Sequence, residues 1–451
     1  MPATTIEKPA ETLHHGRSHF AHPALLAAGV AFFVRLILLI ASQIAQKKFH
    51  VDLQVIGQEA GYVAWALATG KGFSNPFPGY ESVTAWLAPV YPALWSVGLR
   101  LFHPRMGDHS VYFAQTLNCA FSSATCLPIF WLGNKLFRRR IGIAAAWGWV
   151  FLPLAILFPL EWVWDQSLSA LLLALLVCVT YQLTTARTDS LLWSGYGLGW
   201  GFAALTNPTL CGLLPFFLIW IAYCRRKSGF VTIGPALRAL LLFVLAVTPW
   251  TARNYFELDG LAFIKSNFGL ELWLSNNGAI PQDDVYAPQL HPMNNHRQLF
   301  QLALAGELPY MRAKQRAAIS FIRTHPRDFA ALVGRRVLDT WTAWYDARID
   351  KWFRVLHLSK IGLVFCTFFS ALALGGLVFA LKEQPIPMLP TALCAVLFPI
   401  PYYLTHTTLR YRHPIDPLLT LLAVYLVERI ASPLIRRPRP AEQASRVSFH
   451  N

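Results

Sequence analysis

Apolar stretches long enough to cross a lipid bilayer alternate along this chain with shorter polar segments. A membrane-spanning helix needs about 20 predominantly apolar residues. On that measure the pattern predicts about ten spans, at residues 22–44, 110–134, 141–158, 167–185, 190–206, 208–224, 234–251, 359–381, 385–404 and 415–432. The predicted fold is an all-α polytopic membrane protein, with interfacial helices in its first external loop and a second, large external loop.

The predicted units follow the spans. Spans one to seven form a bundle over residues 22–251, and spans eight to ten occupy residues 359–432. The first external loop, 45–109, has helical patterns at Ile56–Thr69 and Pro92–Phe102. The second external segment, 252–358, combines a strand-like or irregular stretch at Leu261–Leu274 with a helical stretch at about 305–348. Polar tails are expected at 1–21 and 433–451. The first span is longer than the apolar core of a signal peptide, which favours an uncleaved anchor.

Composition and charge support a membrane protein. The chain is 55% hydrophobic and 14% charged, with a formal net charge of +16. In a soluble protein that excess would suggest nucleic-acid binding. Here the basic clusters lie directly after apolar runs, at 135–140, 225–227 and 436–439. Loops rich in Lys and Arg stay in the cytoplasm. The sequence thus predicts a multi-pass protein of the inner membrane with both termini cytoplasmic, in contact with the lipid bilayer and not with nucleic acid.

A few ionisable residues break the separation of charge from apolar sequence, all toward the predicted external side. They are Glu59, Asp165, Arg253, Arg410 and Arg412. Charged groups near the membrane interior are costly and commonly functional. They indicate a polar site at one water–lipid boundary.

Glu59 is the first candidate for chemistry. It begins a helical pattern in the first external loop, and its spacing from Tyr62 puts both on one helix face. A carboxylate there could act as a general base, although a carboxylate at a helix start is also explained by the helix dipole. Asp52 could share the role or be a solvated loop charge. Asp165 could bind a substrate hydroxyl or serve as a helix N-cap.

Basic residues supply the candidates for anion binding. Arg410, Tyr411 and Arg412 fill a short turn that violates the charge rule for external loops. A guanidinium group there could bind phosphate in a bidentate manner or reach toward lipid headgroups. Arg253 is a second candidate for the same anion. The histidines of the second loop have no metal-ligand spacing, and the seven cysteines fall in apolar segments. No metal site is predicted, although a divalent cation remains compatible with the chain.

These residues resemble a known family. An acidic residue at a helix start, the Glu of an E-x-x-Y pattern, in a long first external loop resembles the C-type superfamily of integral membrane glycosyltransferases, and within it family 39. The stretches that carry the resemblance lie between residues 35 and 417. They are QEAGYVAWALATGKGFSNPF, TAWLAPVYPALWSVGLRLF, LGNKLFRRRIG, GFAALTNPT, TPWTARNY, SNFGLELWLSNN and RYRHPIDP.

The resemblance implies transfer of a sugar from a polyprenyl-phosphate donor to a glycan, lipid or protein acceptor on the external face, with inversion. The family's loop motif is Asp-Glu-x-x-Tyr, whose Asp is the base; Gln58 stands at that position here, with Glu59 and Tyr62 retained. Either Glu59 or Asp52 serves instead, or activity is lost. The resemblance places the carrier phosphate near Arg412 and Arg253. The alternatives are a non-catalytic membrane protein that binds lipid-linked glycan or takes part in polymer assembly and, with less support, a transporter.

Overall fold

The structure is a computed structural model that describes residues 15–49, 58–102, 108–161, 163–185, 190–280, 284–344 and 361–435. Within them every regular element is a helix, apart from two isolated β-bridges in the first loop. The predicted all-α fold is confirmed. For the stretch Leu261–Leu274 the sequence left two alternatives, strand-like or irregular. Residues 261–267 are irregular and Phe268–Leu274 is helical, so the strand-like alternative is wrong.

Helices cover all ten predicted spans. They are α1 (His15–Phe49), α4 (Asp108–Ala124), α5 (Cys126–Leu136), α6 (Arg139–Phe151), α7 (Pro153–Glu161), α8 (Gln166–Thr185), α9 (Ser190–Thr206), α10 (Leu214–Lys227), α11 (Ile233–Glu257), α16 (Ile361–Glu383), α17 (Pro385–Leu397), α18 (Ile400–Leu404) and α20 (Asp416–Ile435). In the described ranges six segments are long and apolar enough to cross a membrane, and the α6–α7 pair, bent by 44°, would make a seventh. The protein is therefore a multi-pass membrane protein, while the count of ten is not confirmed.

The two large loops contain the remaining helices. The first loop has α2 (Gln58–Ala68) and α3 (Val90–Leu101), close to their predicted positions. The second has α12 (Phe268–Leu274), α13 (His296–Ala305), α14 (Glu307–Thr324) and α15 (Pro326–Thr342). The helix predicted at 305–348 is thus two helices, because Pro326 disfavours helical geometry at His325 while suiting the first turn of a new helix. A short α19 (Leu409–Arg412) precedes α20.

Small residues let the spanning helices pack closely. A Cβ atom built on Gly376 of α16 would lie 2.1 Å from the carbonyl oxygen of Leu422 in α20. One built on Gly197 of α9 would lie 2.2 Å from the carbonyl oxygen of Ala239 in α11. Membrane helices associate through such close packing, since lipid offers no hydrophobic gain on association. Any larger side chain at these two positions would force the helix pairs apart.

Arg35, the charged residue inside the first predicted span, compensates for two prolines. An α-helical carbonyl accepts from the N–H group four residues on, and proline has none. Pro153 and Pro159 therefore leave the carbonyls of Trp149 and Ala155 open. Arg35 is completely buried and donates to both, from Nη2 at 3.1 Å and from Nε at 3.0 Å. The bend between α6 and α7 thus keeps its backbone groups satisfied, as a lipid environment requires.

We expect Arg35→Leu to lower the free energy of unfolding by about 1–3 kcal/mol, because it leaves the buried carbonyl of Trp149 without a donor. The carbonyl of Ala155 still accepts from Ser122 Oγ at 3.0 Å. Thermal unfolding in detergent measures the loss. Adding Pro153→Ala and Pro159→Ala should recover part of it, since each restores an N–H group. The exposed Arg226→Leu is the control. Equal effects of Arg35→Leu and Arg226→Leu would refute this account.

Candidate functional site

Two adjoining cavities, of about 280 and 260 Å³, form a cleft where the two large loops meet the ends of the spanning helices. Each is lined in part by the same six polar side chains, those of Lys265, Asn267, Glu271, His406, Arg410 and Tyr411. These side chains come from the loop before α12, from α12 itself and from the segment between α18 and α20. The cleft is therefore assembled from segments far apart in sequence.

The two cavities differ in what else lines them. The first, named here the apolar arm, is bordered mainly by aliphatic and aromatic side chains, including Ala88, Tyr91, Ile264, Phe268 and Tyr402, with Asp165 among them. The second, named the polar arm, adds Glu59, Trp86, Tyr286, His291 and Asn294. Ligand sites commonly combine an apolar lining with a few polar groups. This cleft is accordingly the candidate functional site.

Glu59 lies in the first turn of α2, where the helix dipole favours an acidic side chain. Its Oε1 atom is 3.9 Å from Nε2 of His291, and its side chain is 20% exposed. The imidazole ring of His291 contacts Phe77 and Trp86 edge-on, with ring centroids 5.7 Å apart in both pairs. Glu59 is thus held at the wall of the polar arm while keeping access to its interior.

A chain of hydrogen bonds and one ion-pair contact runs through the residues that both arms share. Asn267 Nδ2 donates to Glu271 Oε1 at 2.9 Å, and Glu271 Oε2 is 3.1 Å from His406 Nδ1. On its other side, His406 Nε2 is 2.9 Å from the Tyr411 hydroxyl oxygen. Arg410 Nη2 also donates to that oxygen, at 2.9 Å. Stacking of His406 on Tyr286 and of Tyr411 on Tyr402, at centroid distances of 4.6 and 4.8 Å, holds the rings in place.

The charged side chains in the cleft shift one another's pKa values. Burial alone would raise the pKa of Glu271, but the charge and hydrogen bond of His406, with smaller effects of His291 and Lys265, lower it to about 2. Burial lowers the pKa of Lys265, against the opposing pull of Glu271 and other nearby carboxylates. Glu271 is therefore ionised throughout the physiological range.

Asp165 has the opposite environment. It precedes α8 and accepts a hydrogen bond from Ser169 Oγ at 2.9 Å. Burial raises its pKa, although Ser169 and Lys265 partly counteract the effect. Carboxylates whose environments push their pKa values apart commonly divide acid and base roles in active sites. Asp165 and Glu271 are such a pair on the two sides of one cleft.

The structure brings together four of the residues proposed from sequence, since Glu59, Asp165, Arg410 and Tyr411 all line the cleft. Tyr62 is partly buried on α2 and is not among the cleft-lining side chains. Asp52 lies outside the described residues. The catalytic and binding roles of these residues stay predictions.

Arg253 and Arg412, the residues predicted to hold the phosphate, are not among the side chains that line the cleft. Arg253 donates to the backbone carbonyls of Thr84 and Phe73, at 2.7 and 2.8 Å, and so fastens the first loop to the end of α11. Arg412 is 1% exposed and pairs with Asp416 at 2.9 Å. It also donates to Ser370 Oγ and to the carbonyl of Thr340. Both arginines support the walls of the cleft instead of lining it.

Sequence reasoning missed Lys265, Glu271 and His406. Glu271 is the one acidic residue of the apolar stretch 268–274 and belongs to a segment that carries the family resemblance. The argument applied to Glu59 would have selected it. His406 lies four residues before Arg410, and only the fold reveals its contact with Glu271. In the described residues no three His, Cys, Asp or Glu side chains are grouped closely enough to hold a metal ion.

Comparison with known structures identifies the fold as that of a membrane oligosaccharyltransferase. The apo enzyme of Archaeoglobus fulgidus matches with a TM-score of 0.55 and 12% identity, over 94% of this chain and 52% of its own. Its complex with an inhibitory peptide and a dolichol-phosphate matches with 0.51 and 12%, over 93% and 51%. Its complex with Zn and sulfate matches with 0.50 and 13%, over 91% and 49%.

The chain thus spans about half the length of these solved structures. No protein-family model matches it, and a search of curated proteins found no match either. Identity of 11–13% establishes a shared fold. The likeness supports the C-type architecture that the sequence predicted, while membership of family 39 stays a prediction.

We expect Arg412→Met to destabilise the fold by about 3–5 kcal/mol, because it leaves Asp416 buried without its main partner. Arg412→Met combined with Asp416→Leu should recover much of that loss. Thermal unfolding in detergent at neutral pH tests both variants. If Arg412→Met unfolds at the same temperature as the unmodified protein but binds a polyprenyl phosphate more weakly, Arg412 contacts the phosphate and this account is wrong.

Proposed function

We propose that this protein transfers a sugar from a polyprenyl-phosphate donor to an acceptor at the external face of the membrane. One observation carries the proposal: a cleft with an apolar arm and a polar arm has its cationic side chains, Lys265 and Arg410, where the arms meet. A donor with an isoprenoid chain, a phosphate and a sugar has the same three parts in the same order. The likeness in fold to an oligosaccharyltransferase solved with dolichol-phosphate supports this assignment.

The position of the phosphate follows from charge. The leaving group carries negative charge at neutral pH, so its departure needs electrostatic stabilisation more than a proton. Arg410 and Lys265 offer that stabilisation at the junction of the arms, with the guanidinium carbon of Arg410 5.4 Å from the centre of the Trp164 ring. The role expected of Arg412 is therefore assigned to Arg410 and Lys265. The prenyl chain would extend along the apolar arm toward the lipid.

The acceptor would enter the polar arm. Its hydroxyl or amine must lose a proton as the new bond to the sugar forms. Glu59 and Glu271 are the carboxylates that line this arm, and because Glu271 pairs with His406, Glu59 is the candidate base. Attack from the side opposite the phosphate would invert the anomeric carbon in a single displacement. Asp165, on the apolar arm and with its pKa raised by burial, is suited to accept a proton or to bind a sugar hydroxyl. Neither a particular sugar nor a particular acceptor is assigned.

We expect Glu59→Gln to reduce sugar transfer at least 100-fold, since the amide cannot take up the acceptor proton while it preserves size and polarity. The measurement is release of polyprenyl phosphate from a panel of labelled polyprenyl-phosphate sugars by purified protein in lipid. Glu81→Gln, on an exposed carboxylate of the same loop, is the matched control. Full activity of Glu59→Gln would remove Glu59 from the role of base.

We expect Arg410→Ala to weaken binding of a polyprenyl phosphate at least tenfold, because a guanidinium that contacts the phosphate contributes more than about 1.4 kcal/mol. Binding to the protein in nanodiscs gives the affinity, and the exposed Arg316→Ala serves as the control. Unchanged affinity would place the phosphate elsewhere. Tight binding by the unmodified protein without any sugar transfer would favour the alternative of a non-catalytic lipid-linked-glycan binding protein.

A further inference from the structure

We infer that Tyr411 donates its hydroxyl hydrogen to the donor phosphate, and that the charge state of His406 decides whether that hydrogen is available. The inference rests on the proposed function and adds to it a binding group and its regulation by pH. The geometry that carries it is the chain from Glu271 through His406 to Tyr411, which Arg410 joins from the other side. Each link is about 3 Å long.

The first step concerns which nitrogen of His406 carries a proton. Glu271 accepts and cannot donate while ionised, and its low pKa keeps it ionised. Its Oε2 atom faces Nδ1 at 3.1 Å, so Nδ1 carries a proton in both the neutral and the charged imidazole. The difference between the two states therefore lies wholly at Nε2, the atom that faces Tyr411 at 2.9 Å.

The second step concerns the hydroxyl of Tyr411. When His406 is charged, Nε2–H donates to the Tyr411 oxygen, which also accepts from Arg410 Nη2. Neither contact uses the hydroxyl hydrogen, so it is directed to a third position. Tyr411 lines both arms of the cleft, and the cleft is where that hydrogen can point. Two cationic donors on one oxygen also polarise its O–H bond, which strengthens it as a donor to an anion.

The third step is the neutral state. When His406 loses the Nε2 proton to solvent, that nitrogen becomes an acceptor, and the nearest hydrogen is that of the Tyr411 hydroxyl. Tyr411 then donates to His406 and no longer to a ligand. The phosphate would lose one hydrogen bond and the positive charge of the imidazolium together. Affinity for the donor should therefore be high when His406 is charged and fall as pH rises.

Other groups around this chain are also charged or titratable. Those that interact with Glu271, Arg410 or Tyr411 through hydrogen bonds, ring contacts or charge are Glu59, Asp165, Lys265, Tyr286, His291 and Tyr402. Although burial opposes it, the contact with Tyr411 raises the pKa of Arg410, which therefore stays charged. Burial raises the pKa of Tyr411 to about 12 and so keeps it protonated. His291 is a second histidine at the cleft, and its contact is with Glu59. A variant at His291 must accordingly be compared with one at His406.

The experiment measures affinity against pH for a probe whose own charge is constant. Methyl farnesyl phosphodiester carries one negative charge at all pH values of interest, unlike a phosphate monoester, whose second pKa is about 6. Binding to the full chain in nanodiscs is measured between about pH 5.5 and 8.5, the range in which histidine commonly titrates. Farnesol and dimethyl phosphate, tested separately, distinguish contributions of the chain from those of the phosphate.

We expect the affinity of the unmodified protein to fall about tenfold across this range. His406→Gln and Tyr411→Phe should each remove most of that dependence, and the double variant should behave like either single one because they act in series. His291→Gln, and Tyr402→Phe on the ring that stacks on Tyr411, should retain it. Glu271→Gln should shift the fall to lower pH, since a neutral amide no longer stabilises the imidazolium.

The outcomes separate this inference from the proposed function. Absence of binding at every pH by the correctly folded, unmodified protein would contradict the proposed polyprenyl-phosphate donor. Binding whose pH dependence is unchanged in His406→Gln and Tyr411→Phe would overturn the role of this chain while leaving the donor assignment intact. A dependence that disappears only in His291→Gln would transfer the control to the Glu59–His291 pair and overturn the inference. Thermal unfolding of each variant confirms that the fold is retained.

Discussion

Buried arginine side chains, which satisfy backbone carbonyls where helices break, are the interaction on which this fold depends. In a lipid environment an open carbonyl has no water to bind, so a broken helix needs an internal donor. A guanidinium group offers five N–H groups in a fixed plane. Arg35 serves the bend at Pro153 and Pro159, and Arg225 donates to the carbonyls of Leu183 and Val231 at the other end of α8. These arginines donate hydrogen bonds to the backbone. Burying their charge costs free energy, which these hydrogen bonds offset.

A buried arginine that donates to backbone carbonyls also positions the candidate site. Arg336 of α15 is completely buried and donates to the carbonyls of Ser275, Val285, Tyr403 and Leu404. Ser275 and Val285 follow α12, the helix that carries Glu271. Tyr403 and Leu404 lie a few residues before His406. Burial lowers the pKa of Arg336 to about 9, which still leaves it charged at neutral pH. One side chain thus ties together the segments whose ion pair forms the wall between the two arms.

Much of the architecture could be predicted from the sequence because the bilayer dictates it. The length of the apolar stretches predicts the helices. Charged residues close to apolar stretches are the candidates for a site, and of these the fold brings Glu59, Asp165 and Arg410 to one cleft. The same criterion could not separate a guanidinium that faces a cavity from one that holds carbonyls. Arg253 and Arg412 satisfy it as well as Arg410, and their burial and partners appear only after folding. His406 was missed for the same reason, since its partner Glu271 is 135 positions earlier in the sequence.

The carboxylate, lysine and arginine side chains that line the cleft come from four separated parts of the chain, at residues 59, 165, 265–271 and 410. The last part lies between the final two helix groups and contributes Arg410 and Tyr411. A ribosome that inserts the helices in order therefore delivers these two residues after almost every other piece is in the membrane. Until then Glu59 has no guanidinium across the cleft. The cleft is consequently completed only when the last helices are made, and a chain terminated before them would be a nearly complete helical bundle without the wall that carries Arg410 and Tyr411.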